Sequence, residues 1–210
     1  MRKTLRRLLW MVTLSVAAPV LAGQYEVVSS QVQRMLTQAA RNDEAGLNAT
    51  RQQLENLAGP AHRNVKEARA LNQQGLDALK RNDYQAAATA FQKAQEADPA
   101  DVEVAGNLGY ANLKLGQFKR AEHQLAYAIS LSPGRSSSWY NLGQVYGALN
   151  DVERATGAFA AAYRFSQNPP KTLDFMRQAL TAPENNEATR TALKRALELF
   201  ERPAEGSSAR

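Results

Sequence analysis

Residues 102–135 read VEVAGNLGYANLKLGQFKRAEHQLAYAISLSPGR, and the same 34-residue frame fits without a gap on either side of them, over 68–101 and 136–169. Glycine stands at the eighth place of each block (Gly75, Gly109, Gly143) and alanine at the twentieth (Ala87, Ala121, Ala155) and twenty-seventh (Ala94, Ala128, Ala162). With glycine near 7% of ordinary sequence, three aligned glycines alone arise by chance about three times in ten thousand, so the period is a property of the fold. The twenty-fourth place holds Phe91, Leu125 and Phe159, and Pro99 and Pro133 close the first two blocks.

These places predict an antiparallel helix pair in each block. Glycine inside a helix costs about 1 kcal/mol relative to alanine, so its recurrence predicts a close approach of the partner helix. The expectation is that the alanine at the twentieth place lies across that contact, while Phe91 and Phe159 fill the space between neighbouring pairs. Pro99 and Pro133 are expected to stop the second helix because proline lacks an N–H and clashes with the preceding turn. The third block has Gln167 in that place, with Pro169-Pro170 expected to end its helix slightly later. Between the helices stand Arg81-Asn82-Asp83-Tyr84, Leu115-Gly116-Gln117-Phe118 and Leu149-Asn150-Asp151-Val152. Gly116 and the asparagines suit a left-handed helix stop, and Asp83 and Asp151 suit an N-cap.

On Leu108, Gly109, Phe118, Ala121, Ala128 and Pro133, and on Trp139, Leu142, Gly143, Tyr146, Ala155, Phe159 and Ala162, the chain resembles the tetratricopeptide repeat family. The first block departs at Gln74 and Ala78 and then matches at Tyr84, Ala87, Phe91, Ala94 and Pro99. The resemblance implies an all-α, right-handed superhelical solenoid whose first helices line a concave groove for a partner polypeptide. It implies that the second, fifth, ninth, twelfth and thirteenth places point into that groove. Here these include Arg69, Asn72, Leu76, Leu79 and Lys80, then Tyr110, Leu113 and Lys114, then Tyr140 and Gln144. Tyr110 and Tyr140 are the expected anchors, since tyrosine combines a large contact area with a hydrogen-bonding tip. One subclass of the family grips C-terminal carboxylates with Lys, Arg and Asn. Asn107 matches one of those places, but Asn72, Leu76, Ser137 and Asn141 depart from the pattern, so that clamp is not expected.

The flanks read as weaker copies. Val28, Val32, Met35, Leu36 and Ala39, then Leu47, Leu54 and Leu57 after a break at Arg41-Asn42-Asp43, lie at helical spacing. They predict a degenerate N-terminal hairpin within 23–60. The three repeats occupy 61–169. Leu173, Met176 and Leu180, then Leu193, Ala196, Leu197 and Phe200, predict a degenerate repeat or capping pair over 170–201, with Arg177 and Thr189 in the places of the missing Gly and Ala. Arg177, Arg190, Lys194 and Arg195 suit the outer side of a cap that closes the apolar end of an array. Residues 202–210 read as a short polar, flexible tail.

The first segment reads as an address. Arg2, Lys3, Arg6 and Arg7 precede the apolar stretch Leu8–Leu21, and Val20-Leu21-Ala22 fits a cleavage site, so 1–22 is expected to be a signal peptide cut after Ala22. Fourteen residues interrupted by Pro19 fall short of the roughly 20 apolar residues that span a bilayer; the alternative is a chain tethered to the inner membrane through an uncleaved leader. Gln24 stands where a lipoprotein carries cysteine. The leader's four cations account for most of the formal charge of +6; without them 22 basic residues face 20 acidic ones, which withdraws any case for nucleic acid. With no cysteine, disulfides, thiolate metal sites and a cysteine nucleophile are excluded.

No Gly-rich phosphate loop, nucleophile elbow, HExxH run or calcium loop is present. No second His and no acidic residue stands at metal-ligand spacing from His62 or His123 in the sequence, and Ser136-Ser137-Ser138 has no base placed for it and is expected to cap the helix before Trp139. Glu103 with Glu122, or Asp151 with Glu153, are acids of solvated helix faces. The expectation is therefore no catalytic residue, no cofactor and no metal. The predicted function is that of a non-enzymatic adaptor of the bacterial periplasm, binding a segment or helix of an envelope-assembly protein of secretion, pilus, polysaccharide-export or cytochrome-maturation machinery. The alternative is a structural subunit using its convex face and flanking helices, with an enzyme as a remote third.

Overall fold

The computed structural model describes the backbone of residues 17–201 and the side chains of residues 26–201. The tail expectation at 202–210 lies outside this description, as does the leader expectation except for the backbone of 17–22. The described residues form ten α-helices: α1 (Ala17–Ala40), α2 (Glu44–Glu55), α3 (Val65–Lys80), α4 (Tyr84–Ala97), α5 (Val102–Lys114), α6 (Phe118–Leu131), α7 (Ser136–Ala148), α8 (Val152–Arg164), α9 (Pro169–Ala179) and α10 (Glu187–Glu201). The three repeats are the antiparallel pairs α3–α4, α5–α6 and α7–α8, stacked in order to make the helical solenoid expected from the period.

Local chemistry sets the bends. Asn42, Asn82 and Asn150 take φ of 57°, 57° and 61°, and Gly116 takes 70°, the left-handed stop that ends the first helix of each hairpin. Asp43, Asp83 and Asp151 then accept the N–H of Gly46, Ala86 and Arg154, each capping the second helix. The serine run does not cap. Arg135 holds the N-cap place of α7, Ser136 Oγ donates to the Ala162 carbonyl, and the three serines form the first turn. Pro169-Pro170 also differ from expectation: α8 ends at Arg164, and the two prolines open α9, where a missing N–H removes no helical hydrogen bond.

The repeat glycines face a different partner from the one expected. A methyl group at Gly109 would stand 2.6 Å from Leu125 Cγ, one at Gly143 2.6 Å from the Phe159 ring, and one at Gly75 would collide with the Phe91 ring. The residue at the twenty-fourth place, not the alanine at the twentieth, thus enters the hollow left by the missing Cβ within each pair. The exchange is favourable: about 1 kcal/mol of helix propensity against about 1.5–3 kcal/mol for fully burying a Leu or Phe side chain.

The N-terminal segment is a helical hairpin, but it does not precede α3 in the stack. α1 lies along α8 and touches α6, and α2 also meets α6, so the hairpin covers the outer face of the second and third repeats. Val32, Met35, Leu36, Leu47 and Leu54 are buried there in one core with Trp139, Tyr146 and Phe159. Gly157 makes this possible, since a methyl group there would overlap the Leu36 carbonyl. The residues from Ala155 to Ala162 are all buried, because α8 has protein on every side. At the other end, α10 packs on α8 and α7, with Thr189 seated on Gly147, and closes the array.

A concave cleft built from two repeats and a capping helix

Three elements converge on one cleft of about 740 Å³: α5 with Tyr110 and Lys114, α7 with Tyr140, Asn141 and Gln144, and α9 with Lys171, Thr172 and Phe175. The turns before α7 and α9 add Gly134, Arg135 and Phe165 to the lining, and Glu184 joins them from the connection between α9 and α10. That volume falls within the range of about 300–1,000 Å³ usual for ligand sites, and the cleft is partly open to solvent rather than enclosed.

Tyr140 is its centre. The ring packs on Phe159 at 5.3 Å between centroids and on Phe175 at 4.9 Å, both tilted, and its hydroxyl accepts from Gln144 Nε2 at 3.4 Å. Burial first, and the charge of Glu184 in addition, raise its phenol above the ordinary value against the opposing hydrogen bond from Gln144. The hydroxyl therefore stays protonated and can donate to a ligand. Phe175 keeps 53% of its surface exposed, an uncovered aromatic ring beside the floor of the cleft.

Of the residues expected in the groove, the structure brings together Tyr110, Lys114, Tyr140 and Gln144. Leu76 and Leu79 instead pack against the small core around Phe91, and Leu113 packs against the large core. Asn72 accepts from Asn107 Nδ2 at 3.0 Å and donates to Glu103 Oε1, which engages the one clamp-like asparagine inside the array. Lys80 is bound to Asp77 at 2.9 Å, and Arg69 is exposed away from the cleft. Arg135 was missed because it takes the last place of the second block, in the turn between repeats, and Lys171 and Phe175 because they lie in the helix after the repeats, where the 34-residue frame assigns no place. A phenylalanine at the exposed phase of an otherwise amphipathic helix was the available signal.

Elsewhere the polar groups have structural roles. Buried Asp98 accepts from the Arg63 and Ala100 N–H groups and pairs with His62 Nδ1 at 2.8 Å, fixing the connection between α2 and α3. Burial alone would raise its carboxyl, but the bonds from His62 and the two amides outweigh it and hold the pKa below the ordinary value. Under the hairpin, Tyr146 Oη donates to Glu122 at 2.8 Å and accepts from Gln33 of α1 at 3.0 Å, with the Arg154 guanidinium 4.3 Å over its ring. Among the described residues no cluster of His, Asp or Glu is arranged to hold a metal ion, and no helix is long and apolar enough to cross a membrane.

The tetratricopeptide repeat profile matches residues 72–136 and again 108–170, the residues of the three helix pairs. The BBSome complex member BBS4 of Xenopus tropicalis is 32% identical over 87 residues, 41% of this chain; the chain spans only 17% of that relative's length. Two solved structures share the fold. The first tetratricopeptide domain of Spaghetti (RPAP3), bound to the HSP90 peptide SRMEEVD, is 23% identical with a TM-score of 0.51 and covers 59% of this chain and 100% of its own. The Sgt2 tetratricopeptide domain of Aspergillus fumigatus is 21% identical with a TM-score of 0.52, covering 73% of this chain and 93% of its own. Such a fold points to a protein–protein interaction adaptor. Period, helix pairing and profile coincide on the same residues, and the chain is a tetratricopeptide repeat protein.

Proposed function

We propose that this protein is a non-enzymatic adaptor of the bacterial periplasm that holds a segment of an envelope-assembly protein in the cleft between α5, α7 and α9. The observation that carries the reading is the distribution of open surface. The outer face of the second and third repeats is covered by the chain's own hairpin, whereas the concave side keeps Phe175 and Tyr110 accessible around Tyr140. That division favours the cleft over a convex-face structural subunit. A peptide-bound neighbour of the same fold supports a polypeptide ligand.

Export is supported by the leader, in which Arg2, Lys3, Arg6 and Arg7 precede the apolar stretch Leu8–Leu21 and Val20-Leu21-Ala22 fits a cleavage site. The test is twofold. Fractionation with N-terminal sequencing should give a soluble chain starting at Gly23 in the periplasm; a cytoplasmic or full-length product would refute export. In-cell crosslinking should capture a protein partner with the intact chain and lose it with Tyr110→Ala plus Phe175→Ala at unchanged helical content. Undiminished capture would return the convex-face subunit to first place.

A further inference from the structure

The cleft carries more charge than its aromatic floor requires. Lys114, Arg135 and Lys171 converge on it, while Glu184 is the single carboxylate in its lining. None of the three cations forms an ion pair with a carboxylate among the described residues: Lys114 lies 5.5 Å over the Tyr84 ring, and Arg135 Nε donates to Ser137 Oγ. By contrast Arg154, Arg164 and Arg177 on other faces each contact at least one acid. Unpaired like charges facing one concavity raise the local concentration of an oppositely charged partner. Between them, Phe175 offers an uncovered ring against Tyr140.

Two of these features come from α9, most of which lies beyond the matched repeats, which end at residue 170. We propose that α9 makes the cleft selective for an internal acidic segment of a partner protein carrying one large apolar side chain. That side chain seats on Phe175 and Tyr140, and flanking carboxylates meet Lys171, Lys114 and Arg135. The proposal rests on the groove reading above and adds the ligand's chemistry and the helix that selects it.

The test uses the full-length chain and three fluorescent peptides, EDEFEDE, EDEAEDE and KRKFKRK, both ends blocked, read by anisotropy. EDEFEDE should bind, EDEAEDE should bind about tenfold more weakly, and KRKFKRK should not saturate. Raising salt from about 0.05 to about 0.3 M should weaken EDEFEDE. Lys171→Glu and Phe175→Ala should each weaken it about tenfold with unchanged thermal melting, and Lys194→Glu on the far side of α10 should leave it alone. Tight binding of KRKFKRK that is lost in Phe175→Ala would keep the groove and overturn its chemistry. EDEFEDE binding indifferent to both α9 variants would overturn the groove itself. Failure of all three peptides would overturn the proposal.

Discussion

The α-carbon of Gly157 in α8 lies so close to the backbone of Leu36 in α1 that a methyl group on it would overlap the Leu36 carbonyl. The two preceding blocks carry Thr89 and His123 at the same place, so only the third repeat can accept α1 in this way. A single missing side chain thus fixes where the N-terminal hairpin docks and which side of the solenoid remains open.

Gly157→Leu is expected to drive α1 off α8 and to destabilise the protein by several kcal/mol, because backbone cannot yield as a flexible side chain would. Thermal melting together with hydrogen exchange of α1 amides checks this; an unchanged melting temperature with α1 still protected would contradict the contact.

Gly109→Leu places a side chain where Leu125 already sits and should likewise cost several kcal/mol. The informative measurement is the cycle of Gly109→Ala with Leu125→Ala. Shortening Leu125 should relieve part of the cost of the added methyl group, giving a coupling of about 1 kcal/mol, whereas strict additivity would place the two residues out of contact.

Tyr146→Phe removes the hydroxyl that joins Glu122 on α6 to Gln33 on α1. Burial, and then the Glu122 charge, push this phenol well above its ordinary value, so it stays a donor throughout the physiological range. Loss of the bridge should cost about 1–2 kcal/mol with packing preserved, measured as a shift of the denaturation midpoint at constant slope.

The acid limb of stability should report Asp98. Its folded pKa lies below the ordinary 3.8, so deprotonated Asp98 favours the folded state above about pH 4. That contribution falls away as pH drops through the folded value. His62→Gln removes part of what holds it down and should move acid unfolding to higher pH; an unmoved acid midpoint would show that the His62 contact contributes nothing to the connection between α2 and α3.

The repeats were legible because one local exchange, a glycine hollow filled by the residue sixteen places later, is written three times in the same frame. The turns were legible for a similar reason, since asparagine and aspartate serve the same helix stop and cap at Asn42-Asp43, Asn82-Asp83 and Asn150-Asp151. The hairpin's seat was not, because α1 meets α8 across more than a hundred residues. Its trace was the unbroken apolar run from Ala158 to Ala162, which fits a helix buried on all sides better than one half-exposed. The cleft was half legible. Tyr110 and Tyr140 follow from helix phase, but Arg69 and Lys80 fall outside because the concavity closes against α9, and no repeat position encodes α9.

The most direct measurement of the central claim is site-specific photocrosslinking in intact cells, with the probe at Asn141 in the cleft and, in parallel, at Lys93 on the exposed side of α4. The expected result is a discrete protein adduct from Asn141 that disappears in a Phe175→Ala background, with none from Lys93. An adduct from Lys93 alone, or one from Asn141 that survives loss of Phe175, would contradict a partner held in the cleft.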